Sequence, residues 1–247
     1  MMRRGLRWIL SLLFILQMYL AMALLGIAFA PWALVSSAGA LRAAKLYSGW
    51  VLFSARVMLG LRCEVRGKVP EGEVMVAAKH QSFLDILIIF DALPRPKFIM
   101  KKELLWTPFL GLYARRVGCV PVDRSKRGAA LARMVDEVLR GGADPAQLVI
   151  YPQGTRVPPG ERRPYKGGSA VLYGELGQPC VPAATNVGLF WPRRGITRHA
   201  GTAVVEFLEP IPPGMERAAF MAALEQRIEA QSDALLEEAR RCRAPEG

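Results

Sequence analysis

Val74-Met75-Val76-Ala77-Ala78-Lys79-His80-Gln81-Ser82-Phe83-Leu84-Asp85, followed by the apolar run Ile86–Phe90, is the stretch that decides the fold. Residues 73–78 read as a strand, 79–82 as a turn, and 83–92 as an apolar helix. His80 then sits at a strand-to-helix turn, where a rigid scaffold displays reactive groups. A histidine and an aspartate five residues apart do not share a face within one continuous helix. With His80 in the turn and Asp85 in the first helical turn, the chain folds back and the carboxylate meets the imidazole. Such a pair fixes one ring tautomer and stabilises the imidazolium, leaving the other nitrogen to take a proton from an alcohol. The same residues also allow a plainer role. Ser82 and Asp85 have the spacing of a capping box, so Asp85 could cap the helix and His80 could be a turn residue. The two roles of Asp85 are compatible.

Outward from this stretch, short strands and helices alternate from Leu61 onward. Strand candidates are 62–66, 73–78, 97–100, 118–122, 148–151, 180–184 and 203–208. Helix candidates are 83–92, 107–115, 128–140, 169–175 and 217–240. In the last of these, Phe220, Leu224 and Ile228 recur at four-residue steps and Leu235 follows, which makes a helical stripe. This alternation predicts an α/β fold, a sheet with helices packed on it. The tail 240–247 reads as loose.

Residues 1–61 form a separate N-terminal segment, and 62–247 the α/β domain. Between Trp8 and Ser37 there is no charged residue, and residues 8–30 are long enough to cross a bilayer, which takes roughly 20 residues. A cleaved signal peptide is the rival reading, because Ala28-Phe29-Ala30 mimics a cleavage site. The apolar run exceeds a signal core of ~7–15 residues, and Pro31 would follow the cut, so a retained anchor is the better reading. Arg3, Arg4 and Arg7 precede the run, and Arg42 and Lys45 follow it. A single span therefore has no preferred orientation by charge. A helical hairpin turning at Pro31 would put both basic ends on one face. Residues 40–59 suit an interfacial helix or, nearly as well, a helix packed on the domain.

The 52% hydrophobic content is high for a soluble domain, and this anchor explains it. The formal charge of +12 suits an anionic membrane surface, at about 1 kcal/mol per basic residue close to it. The chain lacks the aromatic-basic interleaving and zinc spacing of nucleic-acid-binding domains, so no nucleic acid partner is expected. Four scattered cysteines (Cys63, Cys119, Cys180, Cys242) and two histidines offer no recognised metal spacing. Unpaired cysteines fit a reducing compartment, so the domain is expected to face the cytosol from the inner membrane.

Three further clusters carry polar groups. Lys101-Lys102-Glu103-Leu104 leads on to Val120-Pro121-Val122-Asp123-Arg124, and places positive groups at strand ends. Ile150-Tyr151-Pro152-Gln153-Gly154-Thr155-Arg156 is an apolar strand entering a turn. There Gly154 permits close backbone approach, and Arg156 can hold a phosphate through two parallel hydrogen bonds. Cys180-Val181-Pro182-Ala183-Ala184-Thr185-Asn186 reads as a buried strand with a polar end. Taken singly, each is also compatible with ordinary surface, turn or core. The chain has no Gly-x-Ser-x-Gly nucleophile elbow; Gly168-Ser169-Ala170-Val171 fails the pattern. A base without a nucleophile of its own points to direct transfer, with the acceptor alcohol as the attacking group.

In order and spacing, the four clusters resemble the motif blocks of the 1-acylglycerol-3-phosphate acyltransferase family. His80 and Asp85 match its His-x4-Asp block. Lys101, Glu103, Leu104, Asp123 and Arg124 match its second block. Tyr151-Pro152-Gln153-Gly154-Thr155-Arg156 matches the usual Phe-Pro-Glu-Gly-Thr-Arg, and Val181-Pro182 matches the fourth. The likeness spans roughly residues 62–212. Two positions depart from it: Lys79 replaces the Asn or Arg common before the histidine, and Gln153 replaces the usual Glu.

The resemblance implies a glycerolipid acyltransferase fold, a twisted mixed sheet flanked by helices. It implies that His80 deprotonates the sn-2 hydroxyl of a lysophospholipid, 1-acyl-sn-glycerol 3-phosphate, and that Asp85 orients His80. Lys101, Arg124 and Arg156 are the candidates for the acceptor phosphate, with Gln153, Gly154 and Thr155 in the same binding loop. The acyl donor would be acyl-CoA or acyl-carrier protein, with no metal or bound cofactor. The alternatives are an acyltransferase for another lysolipid, such as one carrying an amino acid, and a non-catalytic lipid-binding membrane protein.

Overall fold

In a computed structural model of the chain, which describes residues 2–123, 136 and 146–242, the seven expected strands form one sheet. They are β1 (Leu61–Arg66), β2 (Val74–Ala78), β3 (Pro96–Lys101), β4 (Val120–Val122), β5 (Gln147–Ile150), β6 (Cys180–Thr185) and β7 (Gly201–Phe207). Their order across the sheet is β1-β7-β6-β2-β5-β3-β4. Every pairing is parallel except β6–β7, so the sheet is mixed.

Strand β2 lies at the centre, and its alternation sorts the core into two layers. Val76 and Ala78 join the layer with α4 (Leu84–Ala92). Met75 and Ala77 join the layer with α6 (Gly168–Leu176) and α7 (Arg217–Arg241). The stripe expected on α7 is real: Phe220, Leu224 and Ile228 are fully buried, and Leu235 nearly so. Helix α7 continues through Arg240 and Arg241, so the expected loose tail begins later; residues 243–247 lie outside the described residues. The helix expected over 128–140 also lies outside them, apart from Asp136. Helix α5 (Leu110–Val117) starts later than expected because a 3-10 turn, Lys102–Trp106, precedes it.

The N-terminal segment folds as α1 (Met2–Ala28), a short α2 (Ala30–Val35) and α3 (Ser37–Leu59). Gln17 on α1 bonds Ser54 and Trp50 of α3, so the two long helices form a hairpin. Pro31 falls in the first turn of α2, where its missing N–H leaves no bond unmade. The reversal is thus made by the whole of α2, with Ser36 capping α3 through the Ala38 N–H. Phe14 and Met18 of α1 and Val51 and Ala55 of α3 enter the main core layer. Of the two readings of residues 40–59, packing on the domain describes the inner face of α3. Its outer face remains apolar, with Trp50, Phe53 and Val57 exposed. Helix α1 is also two-faced. Phe14 packs edge-on to Trp191, while Leu16, Leu20, Leu24 and Ile27 face outward. Among the described residues, Arg4–Ala28 is the one helix long and apolar enough to cross a membrane.

Gly26 explains how α5 is held against α1. The Phe109 ring lies where a Cβ on Gly26 would stand, 2.5 Å from that position. Tyr113 donates to the Gly26 carbonyl at 2.8 Å. Phe109 itself takes φ +60° and ψ −58°, a strained γ-turn closed by the Leu110 N–H donating to the Pro108 carbonyl at 2.7 Å.

Candidate active site

The turn after β2 places His80 at the carboxyl end of the central strand, beside the carboxyl end of β5. From β2 the chain crosses to β3 on one side, and from β5 it returns to β6 on the other. A crevice opens at the strand ends where such connections diverge. The His80 backbone is fixed from outside its own turn: the Val157 N–H donates to the His80 carbonyl at 2.8 Å, and the Lys79 N–H donates to Ala183.

Asp85 is fully buried and accepts four hydrogen bonds. Its Oδ2 accepts the N–H groups of Gln81 at 2.8 Å and Ser82 at 2.7 Å. Its Oδ1 faces His80 Nδ1 at 2.8 Å and accepts the Tyr151 hydroxyl at 3.1 Å. Ser82 Oγ accepts the Leu84 N–H at 3.2 Å. The capping role and the contact with histidine therefore coexist, divided between the two carboxylate oxygens. With Nδ1–H donating to Asp85, Nε2 is the free acceptor of the ring.

His80 lines a cavity of about 500 Å³ whose wall is mostly apolar, including Phe83, Leu87, Phe90, Phe98 and Val117. The same cavity is lined by Lys101, Gly154, Thr155, Arg156 and Arg193. Among the described residues, no Asp or Glu lines it. An anion is therefore welcome at the polar part of the wall, and an aliphatic chain along the rest.

Lys101 is half-exposed and pairs with Glu103 at 3.1 Å, a surface pair easily given up to a ligand. Arg124 lies outside the described residues. Gly154 takes φ +65°, which favours glycine, and the Lys166 ammonium would lie 2.8 Å from a Cβ there. Gln153 does not join the others. It is buried and absent from the cavity wall, and its amide donates at 3.4 Å to Glu229 and to the Arg163 carbonyl.

Glu229, on α7, meets both residues that depart from the motif pattern. Lys79 Nζ meets its carboxylate at 2.6 and 2.7 Å, and both side chains are almost wholly buried. Tyr165 donates to the same carboxylate at 2.9 Å. A glutamate at 153 would bring a second carboxylate beside Glu229 to share one ammonium. Glutamine supplies an N–H donor there instead.

The family model described as Acyltransferase matches residues 61–186, from β1 to just past β6. The chain belongs to the acyltransferase family. It is 32% identical over 186 residues to the 1-acyl-sn-glycerol-3-phosphate acyltransferase of Pseudomonas aeruginosa, covering 73% of this chain and 71% of that one. It is 28% identical over 214 residues to the alpha form from Bos taurus, covering 74% and 75%. In fold it is similar to the crystal structure of the 1-acyl-sn-glycerophosphate (LPA) acyltransferase PlsC from Thermotoga maritima. There the TM-score is 0.76 at 22% identity, over 93% of this chain and 97% of that one. The mixed sheet flanked by helices is thus the acyltransferase fold expected from the motifs.

Two residues that line the cavity of this acyltransferase carry no functional signal of their own in the sequence. Arg193 sits in a Pro-Arg-Arg-Gly loop that reads as solvated surface, yet it lines the cavity and donates to the Arg156 carbonyl at 3.2 Å. Tyr151 was legible only as a motif position; its ring stacks on His80 with centroids 4.0 Å apart.

Proposed function

We propose that the chain transfers a fatty acyl group from a thioester, acyl-CoA or acyl-carrier protein, to the sn-2 hydroxyl of 1-acyl-sn-glycerol 3-phosphate, giving phosphatidic acid. The observation that carries this is the Asp85-bound His80 at the wall of an apolar cavity that also bears Lys101, Arg156 and Arg193. His80 Nε2 takes the hydroxyl proton as the oxygen attacks the thioester carbonyl. The C–O bond forms and the C–S bond breaks, and the imidazolium returns its proton to the leaving thiolate. Asp85 holds the ring in the required tautomer throughout. The reaction needs no residue of the protein as nucleophile.

Arg156, with Lys101 and Arg124 as partners, binds the acceptor phosphate. Arg156→Ala is expected to raise the apparent KM for lysophosphatidate by about 10–100-fold, the loss of a charge-assisted pair. Donor KM should stay near the parent value. Steady-state kinetics with the donor and acceptor varied in turn checks this. An unchanged acceptor KM, or a neutral lysolipid used better than lysophosphatidate, would contradict the assignment.

The outward apolar faces of α1 and α3 hold the chain at the inner membrane, with the α/β domain facing the cytosol. The Arg198 N–H donates to Ser11 Oγ at 3.0 Å, and Phe14 fills the core against Trp191. Removing α1 would strip these contacts, so the helix is retained. Mass spectrometry of the mature N-terminus should find residues before Pro31; a chain beginning at Pro31 would refute it.

A further inference from the structure

Tyr151 has no part in the proton transfer just described, yet it touches both members of the pair. Its ring lies against the imidazole with centroids 4.0 Å apart and planes 22° apart. Its hydroxyl donates at 3.1 Å to Asp85 Oδ1, the oxygen that also faces His80 Nδ1. The other carboxylate oxygen is taken by two backbone N–H groups, so all four acceptor sites of Asp85 are in use. Burial first, and the Asp85 carboxylate second, push the Tyr151 phenol well above its ordinary value. It remains a donor at any working pH. Phenylalanine, usual at this motif position, would keep the ring and lose this bond.

We propose that the Tyr151 hydroxyl is a positioning group that moderates the basicity of His80 by sharing Asp85 Oδ1 with the imidazole. A carboxylate oxygen that accepts a second hydrogen bond presents less charge to its first partner. It then stabilises the imidazolium less than an unshared carboxylate would. The ring is thereby kept readier to return its proton to the leaving thiolate. The same bond ties the end of β5 to the first turn of α4, which fixes the carboxylate against the ring. This inference rests on the reading of His80 as the base.

Other titratable groups line the same cavity as the imidazole. Lys101, Arg156 and Arg193 share its cavity, as do Tyr47, Tyr113 and Cys119, while neighbouring Lys79 is committed to Glu229. Tyr151→Phe alters none of these groups. The substitution therefore isolates one hydroxyl.

The chain has two histidines, His80 and His199, so each ring can be followed through a pH titration of the full-length protein in detergent micelles. Nuclear magnetic resonance of the ring C–H signals reports the midpoints, and His199→Gln identifies which signal is His80. In Tyr151→Phe the His80 midpoint is expected to rise by about half to one pH unit. The acid limb of the kcat/KM profile should rise with it, so activity at acidic pH falls relative to the plateau. Tyr151→Leu, which also removes the ring stacked on the imidazole and with it a contact that favours the imidazolium, should move the midpoint up by less than Tyr151→Phe. An unmoved midpoint and limb, with or without a lower melting temperature, would reduce Tyr151 to packing. If His80→Ala were inactive in that case, the base reading would stand alone. A fully active His80→Ala would overturn both.

Discussion

Replacing His80 with alanine is expected to reduce turnover by about 10²–10⁴-fold, the usual contribution of a general base. The protein should still fold. The His80 side chain is 14% exposed and contributes little to the apolar core, and its backbone bond to Val157 survives the substitution. Asp85 would lose one partner of four. The Gln81 and Ser82 N–H groups and the Tyr151 hydroxyl remain, so the cap on α4 persists. Acyl transfer and thermal unfolding measured on one preparation separate lost chemistry from lost fold. Melting within a few degrees of the parent, alongside a large fall in rate, is the expected pairing.

The second large effect concerns stability. Lys79→Met is expected to destabilise the fold by about 3–5 kcal/mol, because it leaves the Glu229 carboxylate buried without its cation. For a domain of this size that lowers the melting temperature by roughly 6–20 °C. Tyr165 and the Gln153 amide still donate to Glu229, which favours the lower part of the range. Lys79→Met combined with Glu229→Leu should recover most of the loss, since apolar replacement of a whole buried pair is often neutral or stabilising. Differential scanning calorimetry of the two single variants and the double variant closes the cycle. Additive losses, with no recovery in the double variant, would show that the pair is not coupled. Because this network anchors Lys79 and Gln153, the residues that directly precede His80 and Gly154, its loss should also impair catalysis.

Much of this was legible from local pattern. The seven strands are short apolar runs bounded by turn residues, and all seven appear within a few positions of where the pattern puts them. Asp85 could be paired with His80 because a strand-to-helix turn brings residues five apart together. Lys101, Gly154, Thr155 and Arg156 were identifiable by motif order, and they do line one cavity.

What stayed hidden depends on contacts far apart in sequence. Glu229 follows the buried stripe of α7 by one position and reads as a surface acid; its partner Lys79 is 150 residues away. Without that partner, neither Lys79 nor Gln153 could be explained, and Gln153 read as a binding residue when its side chain faces the network behind the loop. The inner face of α3 is small and apolar, with Ala40, Ala43 and Ala55 buried. That composition suits a bilayer interface and a packed domain equally, and only the neighbours decide. Arg193 offered no signal because its loop is basic and exposed, and its place beside Arg156 is set by the fold.

The most direct test is Asp85→Asn, with acyl transfer and melting measured together. Asparagine caps a helix about as well as aspartate, so a purely structural Asp85 tolerates the change. A catalytic Asp85 does not. The amide presents no charge to the imidazolium and can turn an N–H toward Nδ1, which forces the wrong tautomer. Purified full-length protein, a radiolabelled acyl thioester and lysophosphatidate should show Asp85→Asn melting near the parent temperature, with its transfer rate down by about 10²–10⁴-fold. Stable Asp85→Asn protein that forms phosphatidic acid at the parent rate would contradict the His80–Asp85 mechanism.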